Sequence, residues 1–192
     1  MPNWQSFPAG PTGPYAFRIL RTPATTPIDA ICTCTSICGC PTHFAANRTI
    51  PCEGQPGCKL CEEGHSWRWH GYLSAILVKG LEHCLFEFTA QAAETFRTYQ
   101  LTQNALRGCH FLARRPSGRP NGRVVIAAKP EDLNRIRLPE PPNIRLILCH
   151  IWGIPYNQPE DTTHDRLPFE RIKIRPGNGQ DARYSGSPKE PA

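Results

Sequence analysis

Five residues between positions 40 and 61 belong to types that bind transition metals: Cys40, His43, Cys52, Cys58 and Cys61. Cys58 and Cys61 have the C-x-x-C spacing that lets two thiolates from one tight turn reach the same ion. Four sulfur and nitrogen ligands around a tetrahedral ion leave no position for water, so a site of this kind is structural. We therefore predict a structural zinc ion. Its expected ligands are His43, Cys52, Cys58 and Cys61, with Cys40 as the alternative to Cys52.

The same stretch admits two other interpretations. His65 and His70 follow closely and could be ligands, but we leave them out because a single His beside an aromatic strand is more often a surface or core residue. The C-x-x-C pair could also be a redox motif. A thioredoxin-like fold would alternate strands and helices, and the sequence pattern does not favour that alternation.

The positive charge of the chain is concentrated in one segment. The net charge is +6, and residues 65–130 hold nine Lys or Arg against three Asp or Glu, which accounts for the whole excess. Four of these arginines lie within ten positions, in "RRPSGRPNGR" at 114–123. A basic segment of this kind is typical of a face that binds polyanions.

Length and composition favour one folded domain with loosely structured ends. The chain has 192 residues, with 21 Pro and 15 Gly, many of them near the two termini. We expect a flexible N-terminal arm over 1–16, a folded domain over 17–155 and a mostly disordered tail over 156–192.

The first residues lack the basic start and apolar core of a signal peptide. No apolar run reaches the roughly 18 residues that a membrane helix needs. We therefore expect a cytoplasmic protein whose thiols stay reduced. The ten Cys then indicate metal binding or burial rather than disulfides.

Apolar periodicity predicts the elements that would position these residues. Short strands are expected in "AFRILRT" and in "PIDAICTCTSICGC", where the cysteines fall on even positions and would line one face. Later elements are strands over 67–79 and 83–89 with a tight turn at 79–81, a helix over 90–108 ending at Gly108, two strands around the Asn121–Gly122 turn, and a helix over 143–152.

The strand over 67–79 has two unlike faces. One face carries Arg68, His70 and Tyr72, and the other carries Trp67 and Trp69. The first face is polar, so we expect it to contact a ligand, with Tyr72 as the stacking ring. The tryptophans belong to the core side unless Gly71 is a bulge; a glycine there could also mark a close backbone approach.

The order strand, metal loop, strand, strand, helix, strand, strand resembles the OB-fold family. The fold class so implied is mostly β: a five-stranded barrel with one helix between strands 3 and 4, and a zinc-binding loop over 40–65 between strands 1 and 2. The order His, Cys, then C-x-x-C also resembles zinc-containing OB-fold single-stranded-DNA-binding proteins of the kind found in T-even phages, with shorter spacings. Those proteins carry an acidic C-terminal tail, whereas residues 156–192 here hold equal numbers of acidic and basic groups.

This resemblance implies non-catalytic binding of single-stranded nucleic acid, and of single-stranded DNA in particular. The expected contact residues are Arg68, His70, Tyr72, Arg114, Arg115, Arg119 and Arg123. A zinc-stabilised protein-interaction module that binds an acidic partner is the alternative. We expect no enzyme, because the sequence has no paired carboxylates in a His-rich context, no nucleophile elbow and no phosphate loop.

Overall fold

A computed structural model of the chain describes residues 5–7, 17–54 and 56–156. Most of the predicted arm over 1–16 and the predicted tail beyond Tyr156 lie outside the described residues. Within the arm, Gln5–Ser6 forms a short strand that pairs in parallel with Ile136–Arg137.

The described residues form a mostly β fold. Its strands are β1 (Gln5–Ser6), β2 (Arg18–Arg21), β3 (Ile28–Cys32), β4 (Cys38–Ala45), β5 (Arg48–Pro51), β6 (Trp67–Leu77), β7 (His83–Thr89), β8 (Cys109–Arg114), β9 (Val125–Pro130) and β10 (Ile136–Arg137). Its helices are α1 (Lys59–Glu62), α2 (Ala90–Gln103) and α3 (Ile144–Trp152).

The main sheet is built around the long strand β6. The strands run in the order β2-β7-β6-β3-β8-β9, and β4 pairs with both β6 and β5. One edge of β6 pairs with β7, while its other edge is shared by β4 at the start of the strand and β3 at its end. All these pairs are antiparallel except β2 with β7. The β4–β5 hairpin is thus attached to the sheet through β6.

The expected five-stranded closed barrel is not confirmed. Helix α2 lies between β7 and β8 as predicted, but β2 and β9 stand at opposite ends of the strand order, so the sheet is open in the described part of the chain. One side chain nevertheless connects the ends of β2 and β8, which are not neighbours in the sheet. Arg115, after β8, donates from Nε to the carbonyl oxygen of Thr22, after β2, at 2.8 Å.

One face of the sheet packs against α2 and forms the core. Phe96 of α2 lies 5.0 Å from Phe88 and 5.2 Å from Phe111, measured between ring centroids. The helix ends earlier than predicted, at Gln103, because Asn104 adopts the left-handed conformation (φ 55°) that stops a helix. Gly108 is therefore in the following turn and does not terminate the helix.

The cysteine-rich strand is interrupted. Bends between β3 and β4 break the alternation expected from Cys32 to Cys40. Cys32, Cys34 and Cys40 are still buried in the core, and Cys38 is half-buried. All ten cysteines are free thiols, so burial is the main use of those outside the predicted metal-ligand set.

Two glycines make room for an indole on the core side. Gly39 and Gly71 are cross-strand partners on β4 and β6. A Cβ atom on Gly39 would collide with the Trp69 ring, and one on Gly71 would lie 2.7 Å from the same ring. Gly71 therefore marks a close approach rather than a bulge, and Trp69 packs edge-on against Phe88.

Helix α3 covers part of the other face. Asn143 caps it by accepting the Leu146 N–H at 3.0 Å, and Ile144, Ile147 and Leu148 are buried as the apolar spacing predicts. The Trp152 ring contacts the Tyr72 ring of β6 at 5.7 Å. No helix in the described ranges is long and apolar enough to span a membrane.

Candidate metal centre and nucleic-acid interface

His43, Cys52, Cys58 and Cys61 converge on one point. Their ligand atoms all lie within 4.8 Å of one another. His43 Nε2 is 3.4 Å from both Cys58 Sγ and Cys61 Sγ, and Cys61 Sγ is 3.5 Å from Cys52 Sγ. Bonds of about 2.3 Å to sulfur and 2.0 Å to nitrogen would separate tetrahedral ligands by about 3.5–3.8 Å. The cluster therefore has the size that a four-coordinate metal ion requires.

Short elements bring these ligands together. The β4–β5 hairpin turns at Ala46 and Asn47, both with positive φ, and carries His43 on β4. Cys52 continues the hairpin by donating its N–H to Pro41 O at 2.9 Å. Cys58 precedes the single turn of α1, which contains Cys61. The region predicted as a loop over 40–65 is therefore largely strand and helix.

The tautomer of His43 suits a metal ligand. Its Nδ1 is 3.2 Å from the carbonyl oxygen of Ser66, which can only accept a hydrogen bond. Nδ1 therefore carries the proton and Nε2 presents its lone pair to the cysteines. Metal-bound histidines are commonly oriented by such a second hydrogen bond.

The thiols do not ionise equally. Burial acts to raise the pKa of Cys58, but hydrogen bonds from the backbone of Cys61 and Glu53 bring it to about 6. Burial and hydrogen bonds with Cys52 and Cys58 raise the pKa of Cys61 to about 12. Ionising all three thiols side by side requires a cation to offset the repulsion between them, and a bound metal ion would supply it.

Cys40 is not part of the cluster, so the alternative ligand set is wrong. It is separated from His43 by an odd number of positions on β4, which places the two side chains on opposite faces. Cys40 is buried in the core. His70 also lies outside the cluster, with its Nδ1 bonded to the hydroxyl of Thr42 at 2.6 Å.

Tyr72 cannot be the stacking residue, which corrects the prediction. Its side chain is completely buried, and its hydroxyl donates to Glu87 Oε2 at 3.1 Å. Burial, and then the neighbouring Glu87 carboxylate, raise the pKa of Tyr72 well above its usual range. The predicted alternation of the strand is correct, but α3 covers the polar face at this position.

Of the six remaining predicted contact residues, four are exposed, one is half-buried and one is hydrogen-bonded within the protein. Arg68, Arg114, Arg119 and Arg123 are exposed. His70 is half-buried, and burial lowers its pKa. Arg115 is engaged, because its guanidinium donates to the carbonyl oxygens of Thr22 and Gly122. The structure therefore places Arg115 as a structural residue rather than a free cation.

An exposed ring that sequence analysis missed lies beside Arg68. Phe44 is 60% exposed, and it is two positions from Thr42, the cross-strand partner of Arg68. Alternate residues share a face, so Phe44 and Arg68 project from the same side. The Arg21 guanidinium lies 5.6 Å from the centroid of the Phe44 ring. The missed signal is the short hairpin "THFAANRTI", which falls within the predicted loop over 40–65.

The Arg-rich loop adjoins this face. Residues 115–124 connect β8 and β9, and Arg115 bonds to Thr22, the residue next to Arg21. This contact places the start of the loop at the end of β2, next to Arg21, which contacts Phe44. The two regions expected to bind nucleic acid are therefore neighbours. We call Phe44, Arg68 and the 115–124 loop the basic-aromatic face.

Comparisons with protein-family models, with curated proteins and with solved structures find no match to this chain. The resemblance to zinc-containing OB-fold proteins therefore rests on the order of ligands and elements alone.

Proposed function

We propose that the protein binds single-stranded nucleic acid, without catalysing a reaction, through the basic-aromatic face. The observation that carries this proposal is Phe44, a ring that is 60% exposed beside exposed arginines. The ring contacts the Arg21 guanidinium and projects from the same face as Arg68, so it offers a flat surface flanked by cations. Bases stack on exposed rings, and each stack contributes about 1–3 kcal/mol.

The charges of this face suit a phosphate backbone. Arg68, Arg119 and Arg123 are exposed, and the nearby carboxylate of Glu87 is paired with Arg21. The cations are thus left uncompensated at the surface. Stacking on Phe44 with arginines beside it is the combination that single-strand binders use without reading sequence.

The metal ion in this proposal is zinc and its role is structural. Three thiolates and one imidazole are a ligand set that zinc prefers, and they fill all four tetrahedral positions. The β4–β5 hairpin is short, and its ordering is stabilised by metal binding more than by a core of its own. Zinc would hold His43 in place and thereby fix Phe44, its neighbour on the same strand.

Fluorescence anisotropy with labelled oligo-dT tests the proposal, with oligo-U and duplex DNA as comparisons. Phe44→Ala should weaken binding to oligo-dT by about 5- to 150-fold, equivalent to one stacked base. Leu101→Ala is the matched control, because Leu101 is 84% exposed on α2, away from this face. Equal losses in the two variants, or stronger binding to the duplex, would contradict the proposal.

An acidic protein partner is the second candidate, and exposed Trp67 favours it. Trp67 is 53% exposed and lies opposite His43, on the other face of β6 from Arg68. Exposed tryptophans are common at the centre of protein interfaces. If this candidate is correct, Trp67→Ala should abolish binding to a carboxylate-rich peptide and Phe44→Ala should not. Nucleic-acid binding predicts the reverse order for oligo-dT.

A further inference from the structure

A buried carboxylate connects three strands next to the basic-aromatic face. The Glu87 side chain, on β7, is only 4% exposed. Its oxygens accept hydrogen bonds from Tyr72 Oη at 3.1 Å, Thr49 Oγ1 at 3.0 Å and Arg21 Nε at 2.5 Å. These donors lie on β6, β5 and β2. A buried charge is tolerated only when it is paired and bonded in this way.

Arg21 connects this carboxylate to the exposed ring. A second guanidinium nitrogen of Arg21 lies 3.4 Å from Glu87 Oε2 and also donates to the Thr49 hydroxyl. Its guanidinium group lies over Phe44, and Thr49 is the cross-strand partner of Phe44. Phe44 is therefore fixed twice, by the cation over its ring and by the strand paired with its backbone.

We propose that Arg21, oriented by Glu87 and Thr49, is a positioning residue that holds the Phe44 ring ready to stack on a base and does not itself contact phosphate. This inference rests on the proposed function. Arg21 lies over the Phe44 ring, which still keeps 60% of its surface accessible to a ligand. Its charge is compensated by Glu87, so binding of a strand should release no counterion on its account.

The difference between a positioning cation and a phosphate contact is measurable. For single strands, each phosphate contact adds about −0.7 to the slope of log affinity against log salt concentration. Arg68→Ala should therefore make the slope shallower by about 0.7. Loss of Arg21 should weaken binding at every salt concentration and leave the slope unchanged.

Removing Arg21 alone would leave Glu87 buried and unpaired, so the test uses the double variant Arg21→Gln/Glu87→Gln. It removes both charges together and keeps polar side chains of similar size. We expect about three- to tenfold weaker binding to oligo-dT, the size of a cation–π contact, with the wild-type slope. A shallower slope, or wild-type affinity, would overturn the inference.

A double-mutant cycle with Phe44 gives the second measurement. In a Phe44→Ala background the double variant should cause no further loss, because there is no ring to position. Arg68→Ala should still cause its full loss in that background. Additive losses for the double variant and Phe44→Ala would overturn the inference. If wild-type protein does not bind oligo-dT, the proposed function fails; if it binds through Phe44 but the double variant is unaffected, only this inference fails.

Discussion

His43 and Phe44 are neighbours on β4 and point to opposite faces of the sheet. His43 directs Nε2 to Cys58 and Cys61 at 3.4 Å, while Phe44 is 60% exposed beside Arg21. One ligand of the candidate metal site and the exposed ring therefore lie on the same strand. Any change that displaces His43 must also displace Phe44, since only one peptide bond separates them.

Purified protein should contain about one zinc per chain, and Cys61→Ser should lose it. Apparent free energies of structural zinc binding in small domains are about 10–16 kcal/mol, so loss of a ligand should markedly lower the melting temperature. Elemental analysis and thermal unfolding measure the two effects. Cys38→Ser is the control, because Cys38 is half-buried but lies outside the cluster. A wild-type protein that is equally stable without metal would contradict the prediction.

Tyr72→Phe should affect stability and leave binding unchanged. The change removes the hydroxyl that donates to buried Glu87 at 3.1 Å, and a lost bond to a charged group costs about 1.5–3 kcal/mol. Urea unfolding should show this loss. Affinity for oligo-dT should be that of wild type, because Tyr72 is buried beneath α3. A large loss of affinity without loss of stability would mean that Tyr72 contacts the ligand.

Two arginines of the same loop should respond differently. Arg119 is exposed, so Arg119→Ala should make the salt slope shallower by about 0.7 and leave stability unchanged. Arg115→Ala should lower the free energy of unfolding by about 1–3 kcal/mol, because it leaves the carbonyls of Thr22 and Gly122 without this donor. Its slope should match wild type. The same behaviour in both variants would contradict this assignment.

The stability of the protein should decrease in mildly acidic solution in part because of His70. Burial lowers the pKa of His70 in the folded state, whereas in the unfolded chain it stays near 6.5. As the pH falls below about 6.5, the unfolded chain binds a proton that the folded protein does not, so the folded state loses stability. Above that pH the ring is neutral in both the folded and the unfolded state, so His70 no longer lowers the free energy of unfolding.

His70→Gln should reduce this pH dependence. Urea unfolding at pH 7.5, 6.5 and 5.5 measures it, and both proteins carry the same metal cluster, whose own acid sensitivity cancels in the comparison. Identical pH profiles would show that His70 is not responsible.

The metal ligands could be predicted because their spacing is local. C-x-x-C fixes two of them, and a hairpin brings His43 and Cys52 to the same place. The choice between Cys40 and Cys52 required knowing that residues 38–45 form a strand, since only then does Cys40 face away from His43. The alternating cysteines predict one continuous strand from Cys32 to Cys40, whereas β4 begins only at Cys38.

Burial of Tyr72 could not be predicted from its own strand. The alternation of β6 is correct, but the element that covers its polar face is α3, whose Trp152 contacts Tyr72 from eighty positions away. The closed barrel is not confirmed, and the reason is similar. Strand β2 occupies the outer edge of β7, and no local pattern in "AFRILRT" indicates which edge it joins.

The facing glycines at 39 and 71 have a spectroscopic consequence. Because these two positions carry no side chains, the Trp69 ring can lie over the paired strands β4 and β6. The environment of this indole depends on the two strands staying together. Separation of the hairpin from β6 would expose Trp69 to water and shift its emission to longer wavelength. The fluorescence of Trp69 therefore reports whether the β4–β5 hairpin stays paired with β6.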